Sequence, residues 1–156
     1  MKTPTPAALR RQQARSLGFV LIRCGQLFNE RGIARVNAEA RRPMLREAHT
    51  RLIPHLQTPG GIRMTALAQK LGVTKQAVQQ LVADMVDEGV VRLALDPYDA
   101  RARRVMLTEF GLTALMHGTK KLLEIERTVA ARLGKREVQQ LHKLLSALLL
   151  VLEEPA

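Results

Sequence analysis

The stretch Met64–Ala83, MTALAQKLGVTKQAVQQLVA, is the feature that most constrains this chain. Two short segments with helical spacing of apolar residues are separated by Leu71-Gly72-Val73-Thr74. Gly72 supplies a residue tolerant of positive φ, which stops the first helix. Thr74 is a side chain suited to cap the second. Ala68 is small where the two helices approach. Leu67, Leu71, Val73, Val78 and Leu81 are apolar where they lock together. The spacing therefore predicts a helix-turn-helix. Thr74, Lys75, Gln76, Gln79 and Gln80 are left to face outward, with no acidic residue on the second helix before Asp84. A solvated helix face normally mixes Glu and Lys. An amide-rich, acid-free face instead suits a nucleic-acid duplex. Gln can pair with both hydrogen-bonding positions of an adenine edge, and Thr or Lys can hold phosphate or guanine.

Charge agrees with that reading. Lys and Arg number 25 and Asp and Glu 14, giving a formal net charge of +11. Such a balance favours polyanions. Aromatics are only 3% of the chain, too few for a base-stacking platform for single strands. The longest apolar run, Leu144 to Leu152, is interrupted by Ser146 and is too short to cross a bilayer. Met1–Arg15 lacks the apolar core of a signal peptide, so a cytoplasmic protein with no membrane association is expected.

Downstream, Gly89 ends the second helix. Val90–Leu95 and Arg103–Leu107 read as two strands around the turn Asp96-Pro97-Tyr98-Asp99. This is a hairpin with a long basic tip, where Arg101, Arg103 and Arg104 crowd and where Asp96 and Asp99 can pair with them. Thr108 caps a long helix that Gly134 breaks, and Lys135–Leu152 forms the last one. Upstream, helical spacing begins near Ala7, and Leu17, Val20, Leu21, Cys24, Leu27 and Phe28 form a stripe that Gly32 is expected to weaken or end. Pro43 suits the first turn of a second helix carrying Leu45, Ala48, Leu52 and Leu56, with a kink or early end at Pro54. Thr58-Pro59-Gly60-Gly61 is a turn.

From Gly61 to Gly111 the chain resembles the winged helix-turn-helix of the MarR family of bacterial regulators. The carrying residues are Leu67-Ala68, Leu71-Gly72-Val73-Thr74-Lys75-Gln76 and Glu88-Gly89-Val90-Val91. With them go the wing Asp96-Pro97-Tyr98-Asp99-Ala100-Arg101-Ala102-Arg103, and Val105-Met106-Leu107-Thr108 followed by Gly111. The resemblance implies a mainly α fold with a small β-hairpin wing, and a dimer whose N- and C-terminal helices interlock. It implies that Thr74 through Gln80 read DNA and that Arg101 enters the minor groove. A second wing arginine common in the family is Ala100 here, so that contact would fall to Arg103 or Arg104. Residues 1–60 are then an arm and helices of a dimerisation and effector body, 61–107 the DNA-binding domain, and 108–156 C-terminal dimerisation helices. The leucine-rich last helix supports the homodimer independently, because a monomer would leave much of it bare. Most members of the family repress transcription and release DNA when a small molecule or oxidant acts on them.

Other chemistry finds little footing. The histidines His49, His55, His117 and His142 form no i, i+4 pair, and a single cysteine excludes a Cys-rich metal site. No phosphate loop, nucleophile elbow or matched carboxylate pair is present, so neither an enzyme nor a cofactor is expected. Cys24 lies in an apolar stripe and reads as a buried structural cysteine, with a redox sensor as the alternative. His49 and His55 lie near the expected effector cleft. A non-specific architectural or protein-binding winged helix is the remaining alternative.

Overall fold

Gly72 takes φ +64°, ψ 32°, and everything around it follows from that left-handed turn. In the computed structural model, which describes residues 5–40 and 45–154, helix α5 (Met64–Leu71) ends there and helix α6 (Lys75–Asp87) begins three residues on. The Thr74 hydroxyl caps α6 by accepting from the amide of Ala77 at 3.2 Å. Before them lie α1 (Pro6–Arg15), α2 (Leu17–Glu39), the short α3 (Glu47–Thr50) and α4 (Ile53–Leu56), and strand β1 (Ile62–Arg63). After them come β2 (Val91–Asp96), β3 (Asp99–Leu107), α7 (Glu109–Leu133) and α8 (Lys135–Glu153). No described helix is long and apolar enough to cross a membrane.

The buried core belongs to the central part of the chain. Leu52, Leu67, Val78, Val82, Val91 and Val105 are almost fully enclosed, drawn from α5, α6, the sheet and the segment joining α3 to α4. The sheet is antiparallel in the order β1-β3-β2. Its first strand is an addition to the expected hairpin: Ile62 pairs with Val105 and Arg63 with Arg104. The hairpin register runs from Val91 opposite Leu107 to Asp96 opposite Asp99, with an irregularity between Leu95 and Asp96. Pairing this far out leaves only Pro97 and Tyr98 as the tip. The long basic loop expected from the sequence is therefore a correction. The three arginines stand on β3 itself: Arg101 and Arg103 are exposed toward its outer end, while Val105, further along the same face, is buried over the core.

Three further departures have physical causes. Gly32 does not end its helix. It is buried, and a Cβ there would stand 2.9 Å from Leu122 Cδ2, so the glycine lets α2 and α7 approach closely. That crossing is also pinned by Lys121 Nζ, 2.5 Å from Glu39 and 3.3 Å from Glu124, and by Arg35 to Glu124 at 3.2 Å. The hydrogen bond from Lys121 holds the Glu39 carboxyl below its ordinary value. The helix expected between Pro43 and Leu56 is split in two, with Pro54 in the first turn of α4, where its missing N–H costs nothing. Pro43 itself lies outside the described residues. Cys24 is exposed in the single chain, not buried. Its stripe is only partly covered among the described residues: Leu21, Leu27 and Phe28 are half-buried, whereas Leu17 is 65% exposed.

The wing is tied to the rest at two points. The first is Asp96, whose side chain is fully enclosed. Arg63 donates to it twice, at 2.7 and 2.9 Å, and Arg104 once, at 2.7 Å, with the Tyr98 amide adding a fourth bond at 2.9 Å. The Arg63 guanidinium, then that of Arg104, holds this carboxyl well below the usual aspartate range. Arg104 also reaches the carbonyls of Gly60 and Gly61, at 3.2 and 3.4 Å. The second point is Thr108. Its amide donates to Val90 O at 3.1 Å, its hydroxyl donates to Gly89 O at 2.6 Å, and the same hydroxyl accepts from the Gly111 amide at 2.9 Å. A Cβ on Gly111 would run into the Val90 carbonyl, so only glycine lets α7 start this close to β2.

Two outcomes follow. Gly111→Ala should lower unfolding stability in urea by about 1–3 kcal/mol, the usual cost of forcing atoms into a packed site. Gly118→Ala, also in α7 but facing open space, should be neutral or raise it by up to about 1 kcal/mol. Equal effects would refute the close-approach argument. Because Asp96 has a lowered folded-state pKa, its contribution is present above the ordinary aspartate value of about 3.9 and is lost as pH falls toward the folded value. Asp96→Asn should therefore be less stable at neutral pH and show a flatter fall in Tm on acidification than the native chain. Parallel curves would refute the brace.

Candidate nucleic-acid interface

Helix α6 buries Val78, Val82 and Met85 and turns its opposite side outward. Thr74, Lys75, Gln76 and Gln79 are all exposed, as the alternation of apolar and polar positions on a helix requires. The helix N-terminus adds unpaired backbone N–H groups and the positive end of its dipole, which favour a phosphate. The Thr74 hydroxyl at this end accepts from Ala77 N. Gln80 differs from the others. It is exposed on the outward side, yet its Nε2 donates to Asp84 Oδ1 at 3.1 Å, one turn further along.

On the wing, Arg101 and Arg103 are exposed and two residues apart on β3, so they share a face. The Arg101 amide donates to Asp99 Oδ1 at 3.0 Å, which shapes the strand just after the tip. Arg104 is placed otherwise. Its guanidinium is engaged by Asp96 and by the glycine carbonyls, so it braces the wing from within the protein. Of the three arginines, the structure thus brings two to the surface and folds one inward.

Arg63 was not singled out by sequence reasoning. It lies 33 residues from Asp96, and no local pattern marks it as the carboxylate's main partner. Arg46 and Asp84 were also missed as a pair. Only the i, i+4 spacing of Gln80 and Asp84 was visible in advance.

A second feature stands behind the interface. A cavity of about 1040 Å³ opens between α2, α3, α6 and α7. Its walls include Ile33, Val36, Met85, Phe110 and Leu122, and four carboxylates, Glu39, Asp84, Asp87 and Glu88, stand in its lining. His49 lines it, and His117 lines it while pairing with Glu39 at 3.0 Å. His55 is not in the lining, and neither is Cys24. Among the described residues no group of three or more His, Cys, Asp or Glu is arranged to hold a metal ion.

Comparison with known proteins agrees with this geometry. Residues 47–102 match the model of the MarR family. Over 64 residues the chain is 36% identical to the HTH-type transcriptional regulator PetP of Rhodobacter capsulatus; the match takes in 41% of this chain and 39% of that protein, so it spans about two fifths of the relative's length. The fold is similar over a much larger share. MepR, a transcription regulator of the Staphylococcus aureus multidrug efflux pump MepA, superposes with a TM-score of 0.63 at 16% identity, covering 88% of this chain and 99% of MepR. CouR of Rhodococcus jostii, solved with p-coumaroyl-CoA bound, gives a TM-score of 0.59 at 20% identity, covering 87% and 93%. Residues 47–102 thus carry the sequence of a MarR-family segment, and the fold over most of the chain is similar to that of solved transcriptional regulators.

Proposed function

We propose that this chain is a sequence-specific regulator that binds duplex DNA as a homodimer and answers to a small molecule. The observation that carries the reading is the outward face of α6. Thr74, Lys75, Gln76 and Gln79 are exposed there with no acidic residue before Asp84, on a helix whose other side buries Val78, Val82 and Met85. In this reading Gln76, Gln79 and Gln80 contact base edges in the major groove, and Thr74 and Lys75 anchor to phosphate or bases. Arg101, assisted by Arg103, enters the adjacent minor groove. Arg104 keeps the wing in shape.

The homodimer is supported by apolar surface that one chain leaves bare. No residue of α8 is buried, and Leu150 and Leu152 are 67% and 71% exposed. Leu17, Val20 and Ile22 of α2 are exposed as well. A second copy would cover these faces and set two recognition helices on an inverted repeat, about one helical turn apart. The same cover would extend to Cys24, which shares the exposed side of α2 with Leu17, so its exposure in a single chain does not favour a redox sensor.

The effector reading rests on the cavity. It touches both α2 and α7 of the helical body and α6 of the winged domain, so an occupant that prefers one arrangement of these parts shifts the recognition helices. A relative of the same fold, CouR, was solved with p-coumaroyl-CoA bound, which is consistent with such a role for the family.

Selection of bound sequences from a random duplex library tests the reading. One inverted repeat should be enriched, with affinity falling steeply as salt rises. On that duplex Gln76→Ala should cost about 1–3 kcal/mol and relax preference at one base pair. Arg101→Ala should weaken binding while sedimentation still shows a dimer. Salt-sensitive binding with no enriched motif would replace this reading with an architectural one. Untouched affinity in both variants would place the interface elsewhere.

A further inference from the structure

Gln80 belongs to two surfaces at once. It lies one turn beyond Gln76 on the outward side of α6, and it is also part of the cavity lining. Its partner there is Asp84, whose Oδ1 accepts from Gln80 Nε2 at 3.1 Å. The other oxygen, Oδ2, is held from outside the helix: Arg46 donates to it, and His49 Nε2 stands 3.5 Å away. Arg46 Nη2 and His49 Nε2 are themselves 3.2 Å apart. Arg46, His49 and Asp84 all line the cavity.

An unheld glutamine amide can turn over, exchanging its oxygen for its nitrogen, and so offer a base edge either an acceptor or a donor. An ionised carboxylate only accepts. Asp84 therefore dictates that the amide nitrogen faces it and that the oxygen faces away. One N–H remains free beside that oxygen, which is the donor–acceptor pair an adenine edge requires. The carboxylate can enforce this only if it stays in place, and the grip of Arg46 and His49 on its second oxygen keeps it there.

We propose that Asp84 is the positioning residue that fixes which end of the Gln80 amide is shown to DNA, and that His49 of α3 and Arg46 just before that helix hold it. The inference rests on the DNA-binding reading above and adds to it a link between the cavity and the base-reading face. An occupant of the cavity that takes the Asp84 carboxylate releases the amide, and the change is felt in base preference as well as in affinity.

The test uses the full chain, with random-duplex selection run in parallel on the native protein and on Gln80→Ala, Asp84→Ala, Asp84→Asn and Arg46→Ala. Gln80→Ala should erase preference at one base pair of each half-site, a loss on the order of tenfold in discrimination. Asp84→Ala should relax the same base pair and no other, and adding it to Gln80→Ala should change nothing more. Asp84→Asn keeps an oxygen that can accept from Gln80 and should retain more of the preference than Asp84→Ala. Arg46→Ala, at an exposed side chain, should relax the same position in part. In the free protein, the NMR signal of the Gln80 side-chain amide, identified by its loss in Gln80→Ala, should move in Asp84→Ala. An enriched native motif with an Asp84→Ala profile that superposes on it, or that changes elsewhere, would overturn the positioning role alone. A native protein that enriches no motif would overturn the DNA reading and this role with it.

Discussion

Asp96 places a carboxylate where no water reaches it, and two guanidinium groups make that tenable. A buried charge without partners is costly, while one that is paired and fully hydrogen-bonded can be held. The geometry matters more here than the energy. Arg63 leads into α5, Arg104 lies on the central strand, and Asp96 ends the neighbouring strand. One side chain thus joins the start of the helix-turn-helix to both strands of the wing, and through Arg104 to the turn at Gly60 and Gly61. The spacing between α6 and the wing, on which the proposed use of two grooves depends, is set by this cluster together with the Thr108 knot at the other end of the hairpin.

Around that centre much apolar surface is left uncovered. Its core draws on α5, α6, the sheet and the segment around α3 and α4, while α1 and α8 bury nothing of their own. The exposed leucines of α8 and the bare side of α2 are the chain's open accounts in apolar surface, and a second copy is the simplest cover for both. Between the packed centre and the helical body lies the 1040 Å³ cavity, with Gln80 and Asp84 on one wall and Leu122 on another. In the proposed reading, the part that contacts DNA and the part that pairs with a second chain meet across a space large enough for a small organic molecule.

Local signals were legible in the sequence and distant ones were not. Gly72, Thr74, Thr108 and Gly134 each act within a few residues of their position, and the helices start and stop where those residues say. The outward placement of Thr74, Lys75, Gln76 and Gln79 also follows from helical period alone. Gly32 shows the limit. Its cost to a helix is local, but its benefit, the approach of Leu122, lies across the fold. The two-residue β1 has no periodicity to read, and it extends the sheet only because Val105 and Arg104 arrive from far along the chain. Arg104 looked like Arg101 and Arg103 because charge runs do not reveal which member has a buried acid beside it. Cys24 was assigned to the interior because its stripe is apolar, and a stripe does not say whether its cover comes from the same chain.

The central claim is geometric: recognition helix in the major groove, wing in the minor groove, twice, about a two-fold axis. Dimethyl sulfate protection on the enriched duplex reads both grooves at once, through guanine N7 in the major groove and adenine N3 in the minor. The account expects two blocks of major-groove protection centred about 10 base pairs apart, each with minor-groove protection beside it that disappears in Arg101→Ala. A single protected block, or minor-groove protection indifferent to Arg101, would contradict it.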